Sequence, residues 1–564
     1  MSKRFSRSLS ITLCQPRLVS FLAFGLLLTV LAPPGFQSRS SPWTPPAQDN
    51  LTQHFHAAQE DMRTGRFDAA IGELKQVLRA DPGLVEARIN LGLAYHATGE
   101  YKLAVAELSQ AAKERPDLLP ADLLPANLFL GLSYLKLGEP AKAVSALDRA
   151  LALDASNPEA RRALAAADLS EGNYRQAAIQ FRELAAADSD KADAWFTLGR
   201  DYLQMAKPLT NELSMRFPSS AWSLRLAGDV LAERRLWNDA ADAYRKAIAA
   251  DPAESGLHAA LGDVLTRAGK TQDAEAELKA EAGRDAVAAA KAATGRSNCG
   301  HNQERSCAEL LGSQKQLSLP EAIRLGQARL VLGQDEAASD AFAVAFGLDH
   351  ASPEAIYWLS RSYLQLADAC FAQLTSLYPD SWRAHELKGE AFGIRQADKE
   401  AIAEFRIAAR LHPDDPEIHE ALGDVLLRQN QLADGKAEIE TALRLNPSAP
   451  RSLYLLGNLY VSQREPAKGI PYLEAALHYD PALTEARPAL GKAYLKVGKP
   501  DRAIAELEQS SPIDRYGDLH YLLYEAYRDD GKPELAAQAL ARSQELRRKS
   551  AADDQAKIKP LDEE

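Results

Sequence analysis

Cys299, His301 and Cys307 are the residues of this chain whose spacing most suggests a site for chemistry. These thiol and imidazole groups could bind Zn²⁺, but the segment offers no clear fourth ligand and does not match common zinc spacings. In an oxidising compartment, Cys299 and Cys307 could instead form a disulfide that closes a short loop. Three alternatives therefore stand, a disulfide, free thiols and a metal site, and we predict the disulfide.

Catalytic motifs are missing from the sequence, which contains no GxSxG, HExxH, Walker-type or dinucleotide-binding glycine pattern. Nearly every stretch of the chain is occupied by a repeat, so no region is large enough for a catalytic domain. We predict that the protein is not an enzyme and has no cofactor, no bound metal and no small-molecule substrate. The alternative is an enzyme with an unrecognised site in residues 283–318.

The charge of the chain limits its partners. The 564 residues carry a formal net charge of −12, and residues 1–41 contain basic but no acidic side chains, so the remainder is still more negative. Nucleic-acid binding needs a cationic surface, and we predict that this chain does not bind nucleic acid. The negative charge serves solubility or reflects selection for a basic partner.

The N-terminus has the order of an export signal, with a basic segment at 1–17, an apolar segment at 18–36 and a Pro-rich linker at 37–50. The apolar segment is short for a membrane span, and Pro33 disfavours cleavage after Ala32, so a cleaved signal and a single-span anchor stand as equal alternatives. Both place the rest of the chain outside the cytoplasm, because the positive charge precedes the apolar run.

A periodic pattern covers most of the remaining chain and is clearest from Val85 to Pro116. Apolar and small residues recur at helical spacing on two successive helices, with a Gly-containing turn between them and Pro after the second. In this unit they are Leu91, Gly92, Tyr95, Gly99, Ala104, Leu108, Ala111 and Pro116, at positions 7, 8, 11, 15, 20, 24, 27 and 32. One such helix pair cannot bury its apolar face alone, so the units must stack.

This pattern resembles the tetratricopeptide repeat (TPR), whose period is about 34 residues. The resemblance implies an all-α, right-handed superhelix of about 14 helix-turn-helix units, two of them abbreviated. We assign array 1 to residues 51–282, an irregular linker with the cysteine pair to 283–318, array 2 to 319–545 and a charged, disordered tail to 546–564.

Two short units interrupt the pattern, near 195–218 and 356–379, and neither has the Gly turn or an Ala at the usual position 20. They belong to a four-unit block that recurs later in the chain at a constant offset, so that the motif Tyr202–Ala206 (YLQMA) corresponds to Tyr363–Ala367 (YLQLA). We interpret the offset as a duplication. In each short unit we expect the first helix to continue or restart without the usual turn.

In the TPR family, the first helices line a concave groove that binds peptides or proteins, and positions 2, 5, 6 and 9 tend to face it. The family's carboxylate clamp is not supported, because Glu420 and Asp424 stand where Lys and Asn would be needed. Candidate partner-binding residues combine aromatic and polar groups typical of interface anchors. They are Trp195, Phe196, Arg200, Tyr357, Trp358, Arg361, Tyr454 and Asn458, and Trp195 at position 4 is alternatively an interhelical core residue.

We therefore predict a non-catalytic scaffold that binds protein or peptide partners in its groove. It would lie outside the cytoplasm, as a periplasmic or secreted protein or one anchored to a bacterial-type inner membrane by its N-terminal segment. The alternative is an accessory subunit of a cell-envelope secretion, export or assembly system.

Overall fold

A computed structural model describes residues 46–114, 120–254, 256–293 and 304–558. Contacts divide these residues into two compact units, 46–377 and 378–558, which are treated separately below. All regular structure in the described residues is helical, as predicted, with 27 α-helices and one short 3₁₀ turn at Ser511–Ile513.

The unit 46–377 contains 17 of these helices. They are α1 (Pro46–Arg63), α2 (Phe67–Ala80), α3 (Val85–Ala97), α4 (Tyr101–Glu114), α5 (Pro120–Lys136), α6 (Pro140–Leu153), α7 (Pro158–Ser170), α8 (Tyr174–Ala187), α9 (Lys191–Arg216), α10 (Ala221–Glu233), α11 (Trp237–Ala250), α12 (Leu257–Arg267), α13 (Thr271–Ala293), α14 (Glu304–Gly312), α15 (Leu319–Val331), α16 (Asp335–Leu348) and α17 (Pro353–Leu377).

The unit 378–558 contains the other ten helices, arranged as five consecutive antiparallel pairs. They are α18 (Trp382–Ile394), α19 (Asp398–Leu411), α20 (Pro416–Arg428), α21 (Leu432–Leu445), α22 (Pro450–Ser462), α23 (Pro466–Tyr479), α24 (Ala486–Lys496), α25 (Pro500–Ser510), α26 (Asp518–Asp529) and α27 (Pro533–Ile558).

Each regular unit is held together where its first helix meets its second. The glycine at position 8 allows this close approach, since a Cβ built on Gly92 would lie 2.5 Å from Cγ of Leu108 at position 24. The connecting turn requires a left-handed residue at position 15, such as Gly99 with φ +80°. Four units place a non-glycine residue there with positive φ, namely Arg235, Gln396, Asn430 and Arg464.

The two short units each form one long helix in place of a pair. α9 has 26 residues and α17 has 25, and both continue through the point at which a regular unit turns. The predicted continuation of the first helix is therefore confirmed. The two long helices pack side by side over an extensive contact. They are antiparallel, because Phe196 near the start of α9 contacts Phe371 in the second half of α17.

Three segments expected to be irregular or to mark boundaries show more helix than the pattern indicated. α13 runs on to Ala293, and α14 packs against α15, so the described ends of the predicted linker 283–318 are helical. α27 continues to Ile558, where we expected disorder from residue 546, because Ala, Arg, Lys, Glu and Gln are good helix formers even without an apolar face. No helix among the described residues is both long and apolar enough to cross a membrane. The apolar segment 18–36 lies outside those residues.

Candidate functional site

The aromatic residues predicted on α9 lie in the contact between the two long helices, which we call the junction. Phe196 is buried, with its ring centroid 6.4 Å from that of Phe371. Trp195 is half-buried against the same apolar core, in agreement with its alternative interpretation as a core residue. The guanidinium of Arg200 lies over the Phe196 ring at 5.6 Å.

The corresponding residues of α17 contact α10. Tyr357 is buried and donates a hydrogen bond from its hydroxyl to Oδ2 of Asp229 at 2.7 Å. Trp358 stacks on Phe342, with ring centroids 5.5 Å apart. Nη1 of Arg361 donates to Oε1 of Glu233 at 2.7 Å.

Sequence reasoning missed the α10 side of this cluster. Arg225 on α10 lies within 5.5 Å of the rings of Trp222, Tyr357 and Trp358, so one cation faces three aromatic rings. No local pattern could have indicated this grouping, because Asp229 and Tyr357 are 128 residues apart. The structure gives the predicted aromatic residues intramolecular contacts, and a role for them in binding a partner stays a prediction.

Tyr454 and Asn458 lie on a different surface, in the unit 378–558. Consecutive first helices α18, α20, α22 and α24 contact one another there. Tyr454 is half-buried and Asn458 is exposed. They share this surface, which we call the first-helix face, with polar residues at positions 2, 5 and 9 of α18, α20 and α22. These are Arg383, Glu386, Glu390, Glu417, Glu420, Asp424 and Arg451.

At the α18 end of the first-helix face a buried ion pair is formed. Nη1 of Arg383 donates to Oε2 of Glu386 at 2.7 Å, and the two side chains are only 5% and 4% exposed. The same nitrogen lies 3.7 Å from Oδ2 of Asp415 on the neighbouring unit. Burial raises the pKa of Glu386 to about 7, although Arg383 acts in the opposite direction.

In the middle of the first-helix face, α20 and α22 are linked through carboxylates. Glu420 accepts a hydrogen bond from Oγ of Ser452 at 2.6 Å, and Nη2 of Arg451 donates to Asp424 at 3.1 Å. Burial raises the pKa of Glu420 to about 7, opposed by the Ser452 hydrogen bond and by Arg451. Both buried carboxyls therefore keep part of their protonation near neutral pH.

Acidic groups outnumber basic groups on this face, with five carboxylates beside Arg383 and Arg451. Because Glu386 and Glu420 are desolvated, their ionised forms are favoured by any cation brought against the face. The arrangement contains no nucleophile–base pair. Among the described residues, no group of three or more His, Cys, Asp or Glu side chains is placed to hold a metal ion. The face is suited to binding and offers no chemistry.

The cysteine prediction is tested on one side only. Cys307 is buried on α14 and is disulfide-bonded. Cys299 and His301 lie outside the described residues, so the pairing of Cys299 with Cys307 stays a prediction. Cys370 is a free, buried thiol in the junction, and burial raises its pKa to about 12. Such a thiol is unreactive.

The geometry above defines a helical-repeat protein of stacked two-helix units. Family models described as tetratricopeptide repeat match residues 55–118, 364–416 and 420–487, and related models of the same description match 124–167 and 460–516. The chain is a tetratricopeptide repeat protein, as predicted. Proteins of this fold are typically non-catalytic scaffolds for protein–protein interaction. No curated protein matches the sequence significantly.

Solved structures with a similar fold are distant in sequence. MamA is 19% identical over 31% of this chain and 96% of its own, with a TM-score of 0.27. YrrB, described as a TPR protein with an unusual peptide-binding site, is 20% identical over 33% of this chain and 97% of its own, with a TM-score of 0.28. The Cut9–Hcn1 hetero-tetramer structure matches 88% of this chain and 93% of its own at 16% identity, with a TM-score of 0.29.

Proposed function

We propose that this TPR protein is a scaffold that binds cationic segments of partner proteins on the first-helix face of the unit 378–558. The observation that carries the proposal is the pair of desolvated carboxyls, Glu386 and Glu420, on successive first helices of a face where acids exceed bases. A lysine or arginine placed there would favour ionisation of both groups and gain from it. The half-buried ring of Tyr454 and the exposed amide of Asn458 add contacts at the α22 end of the same face.

We further propose that the scaffold acts outside the cytoplasm, exported or anchored through residues 1–36. The disulfide at Cys307 supports this location, since structural disulfides persist in oxidising compartments. A reporter fused after the last residue would test it. Alkaline phosphatase, which is active only outside the cytoplasm, should be active in this fusion, and an inactive fusion would contradict the location.

Binding can be measured with the full chain and three unstructured peptides of equal length, one rich in Lys and Arg, one rich in Glu and one uncharged. We expect fluorescence anisotropy to detect the cationic peptide only, with an affinity that falls as salt rises. The variant E390Q/D424N, which neutralises two less buried acids of the face, should weaken binding by roughly tenfold, because each lost charge pair is worth about 0.5–1 kcal/mol.

The matched control is E400Q/E440Q, which removes the same charge from exposed positions on second helices α19 and α21. We expect this control to bind like the original protein. Equal weakening in both double variants would mean that the cationic peptide responds only to net charge. Equal binding of the uncharged peptide would contradict a cationic partner.

A further inference from the structure

The two long helices are regular repeat units from which the turn has been removed. In the unit 85–116, the segment His96–Glu100 occupies positions 12–16, between Tyr95 and Tyr101. In α9, Tyr202 at position 11 is followed directly by Leu203. Counting Leu203 as position 17 restores the pattern in full. The Ala that seemed to be missing is then Ala206 at position 20, and Pro218 stands at position 32.

The second short unit gives the same result. Leu364 follows Tyr363 directly, and the same count places Ala367 at position 20, Phe371 at 24 and Pro379 at 32. Without a turn, the second half of each helix points away from the first half and cannot pack on it. The first half of α9 and that of α17 therefore need second helices from elsewhere.

The partner of Gly199 shows where the second helix comes from. A Cβ built on Gly199, at position 8, would lie 2.5 Å from Cε1 of Phe371. Phe371 stands at position 24 of the other short unit. In regular units the same contact joins two residues of one unit, as in Gly92 with Leu108 and Gly389 with Phe405. The second half of α17 thus serves as the second helix for the first half of α9.

The exchange is reciprocal. Tyr202 and Tyr363, which are equivalent residues of the two copies, stack with ring centroids 6.0 Å apart. α10 contacts the first half of α17, through the Arg361–Glu233 and Tyr357–Asp229 hydrogen bonds. In an uninterrupted array, α10 would instead follow the first half of α9, where Arg200 is the equivalent of Arg361.

Loss of a turn between two packed segments is a known cause of domain swapping, in which identical elements are exchanged between copies. We propose that the junction surface of α9 and α17 is a homotypic docking surface whose natural occupant is a second copy of the same block. The internal duplication supplies that copy within one chain. A block deprived of its internal mate takes the equivalent helix from a second copy of this chain.

The test restores the missing turn in the full-length protein by inserting the segment His-Ala-Thr-Gly-Glu. Inserted between Tyr202 and Leu203 alone, it lets α9 close on itself and leaves α17 without its mate. We expect this variant to double in mass by light scattering. Insertion at both Tyr202–Leu203 and Tyr363–Leu364 should give a monomer, as should the original chain. The control carries the same insertion in an existing turn, between Gly269 and Lys270, and should also be monomeric.

A crosslinking readout identifies the neighbour of α10. A short bismaleimide should link E233C to R361C within one chain of otherwise original sequence. In the double-insertion variant, E233C should link to R200C instead, and mass spectrometry of the crosslinked peptides distinguishes the two.

Several results would overturn the proposal. One is a single-insertion variant that remains monomeric. Another is a double-insertion variant that still links 233 to 361. The original protein provides a test even where the insertions prevent folding, because a 233–361 link that is absent, or that forms only between chains, excludes exchange within the chain.

Discussion

The array 382–529 and the junction of α9 with α17 are built from the same repeat, but they complete each unit differently. In the array, Gly389 at position 8 packs on Phe405 of its own unit. In the junction, Gly199 packs on Phe371 of the other block. The side chains at positions 8 and 24 follow the same rule in both regions. The comparison shows that the turn decides which helix satisfies that rule.

The two regions also differ at positions 4 and 23, which face each other across the helix pair. Regular units place a basic residue and a glutamate there, as in His385–Glu404 and His419–Glu438, each at 2.6 Å. The pair recurs with the same spacing in Arg88–Glu107 and Arg487–Glu506. In the short units these positions are apolar or thiol side chains, namely Trp195, Ile356, Leu209 and Cys370. The exchanged helices are joined without ion pairs at these positions.

The largest expected effect is on the array. R383A should destabilise it by about 3–5 kcal/mol, because Glu386 would be left buried without its cation. In the junction, R361A should cost about 1 kcal/mol or less, since Arg361 and Glu233 are 32% and 53% exposed. Hydrogen exchange followed by mass spectrometry measures both locally. R406A, which removes an exposed pair in the array, is the control and should have no effect. Equal losses for R383A and R361A would contradict the comparison.

A second effect concerns pH. Burial raises the folded-state pKa of Glu420 to about 7 from an ordinary value of 4.5. The folded array therefore holds a proton that the unfolded chain has lost, and its free energy of unfolding falls as pH rises from 4.5 to 7. E420Q should remove a fall on the order of 3 kcal/mol. Denaturant titrations across this pH range measure the slope. The exposed-site variant E400Q should keep the original slope, and an unchanged slope in E420Q would contradict the assignment.

A third test asks which helix completes α9. G199A should destabilise the junction by about 1–3 kcal/mol, because the new Cβ would collide with Phe371. The double variant G199A/F371A should lose less than the sum of its parts, as should G389A/F405A in the array. Thr210 is the position-24 residue of α9 itself and provides the control. If T210A relieves G199A and F371A does not, the helices are not exchanged.

The smallest effect is at the centre of the junction. The hydroxyl of Tyr363 is buried and has no hydrogen-bond partner among the described residues, so Y363F should leave stability within about 0.5 kcal/mol. In the array, the Tyr527 hydroxyl donates to Glu508 at 2.6 Å, and Y527F should cost about 1 kcal/mol. Thermal unfolding of both variants provides the measurement. A larger loss in Y363F than in Y527F would reveal a partner for the Tyr363 hydroxyl.

The regular units could be predicted from the sequence because each one carries its own pattern. Positions 8, 11, 20 and 24 lie within one helix pair, so local spacing determines their contacts. Arg235, Gln396, Asn430 and Arg464 leave no such signal, since the left-handed turn there is imposed by the packed helices on either side. The pairs at positions 4 and 23 do leave a signal, a basic residue and a glutamate at constant spacing, but apolar periodicity alone does not detect it.

The junction could be located from the sequence but not understood. The missing turn and the constant offset of the duplicated block both point to the short units. The contact between Gly199 and Phe371 could not be inferred, because no periodicity within one unit says which copy supplies the second helix. The first-helix face was predicted in part, through Tyr454 and Asn458. Its buried carboxyls could not be predicted, because the pKa of Glu386 depends on burial that only the folded array creates.

The antiparallel contact of α9 with α17 also has a mechanical consequence. Ordinary repeat arrays come apart one unit at a time under tension, because each unit touches only its neighbours. Here the junction clamps together two points of the chain, so a load applied at 46 and 377 passes directly from α9 to α17. Helices α10 to α16 are shielded until the clamp opens. In an optical trap, its opening should expose the shielded segment from Arg216 to Pro353 to the load, and complete extension of that segment would add about 450 Å of contour length.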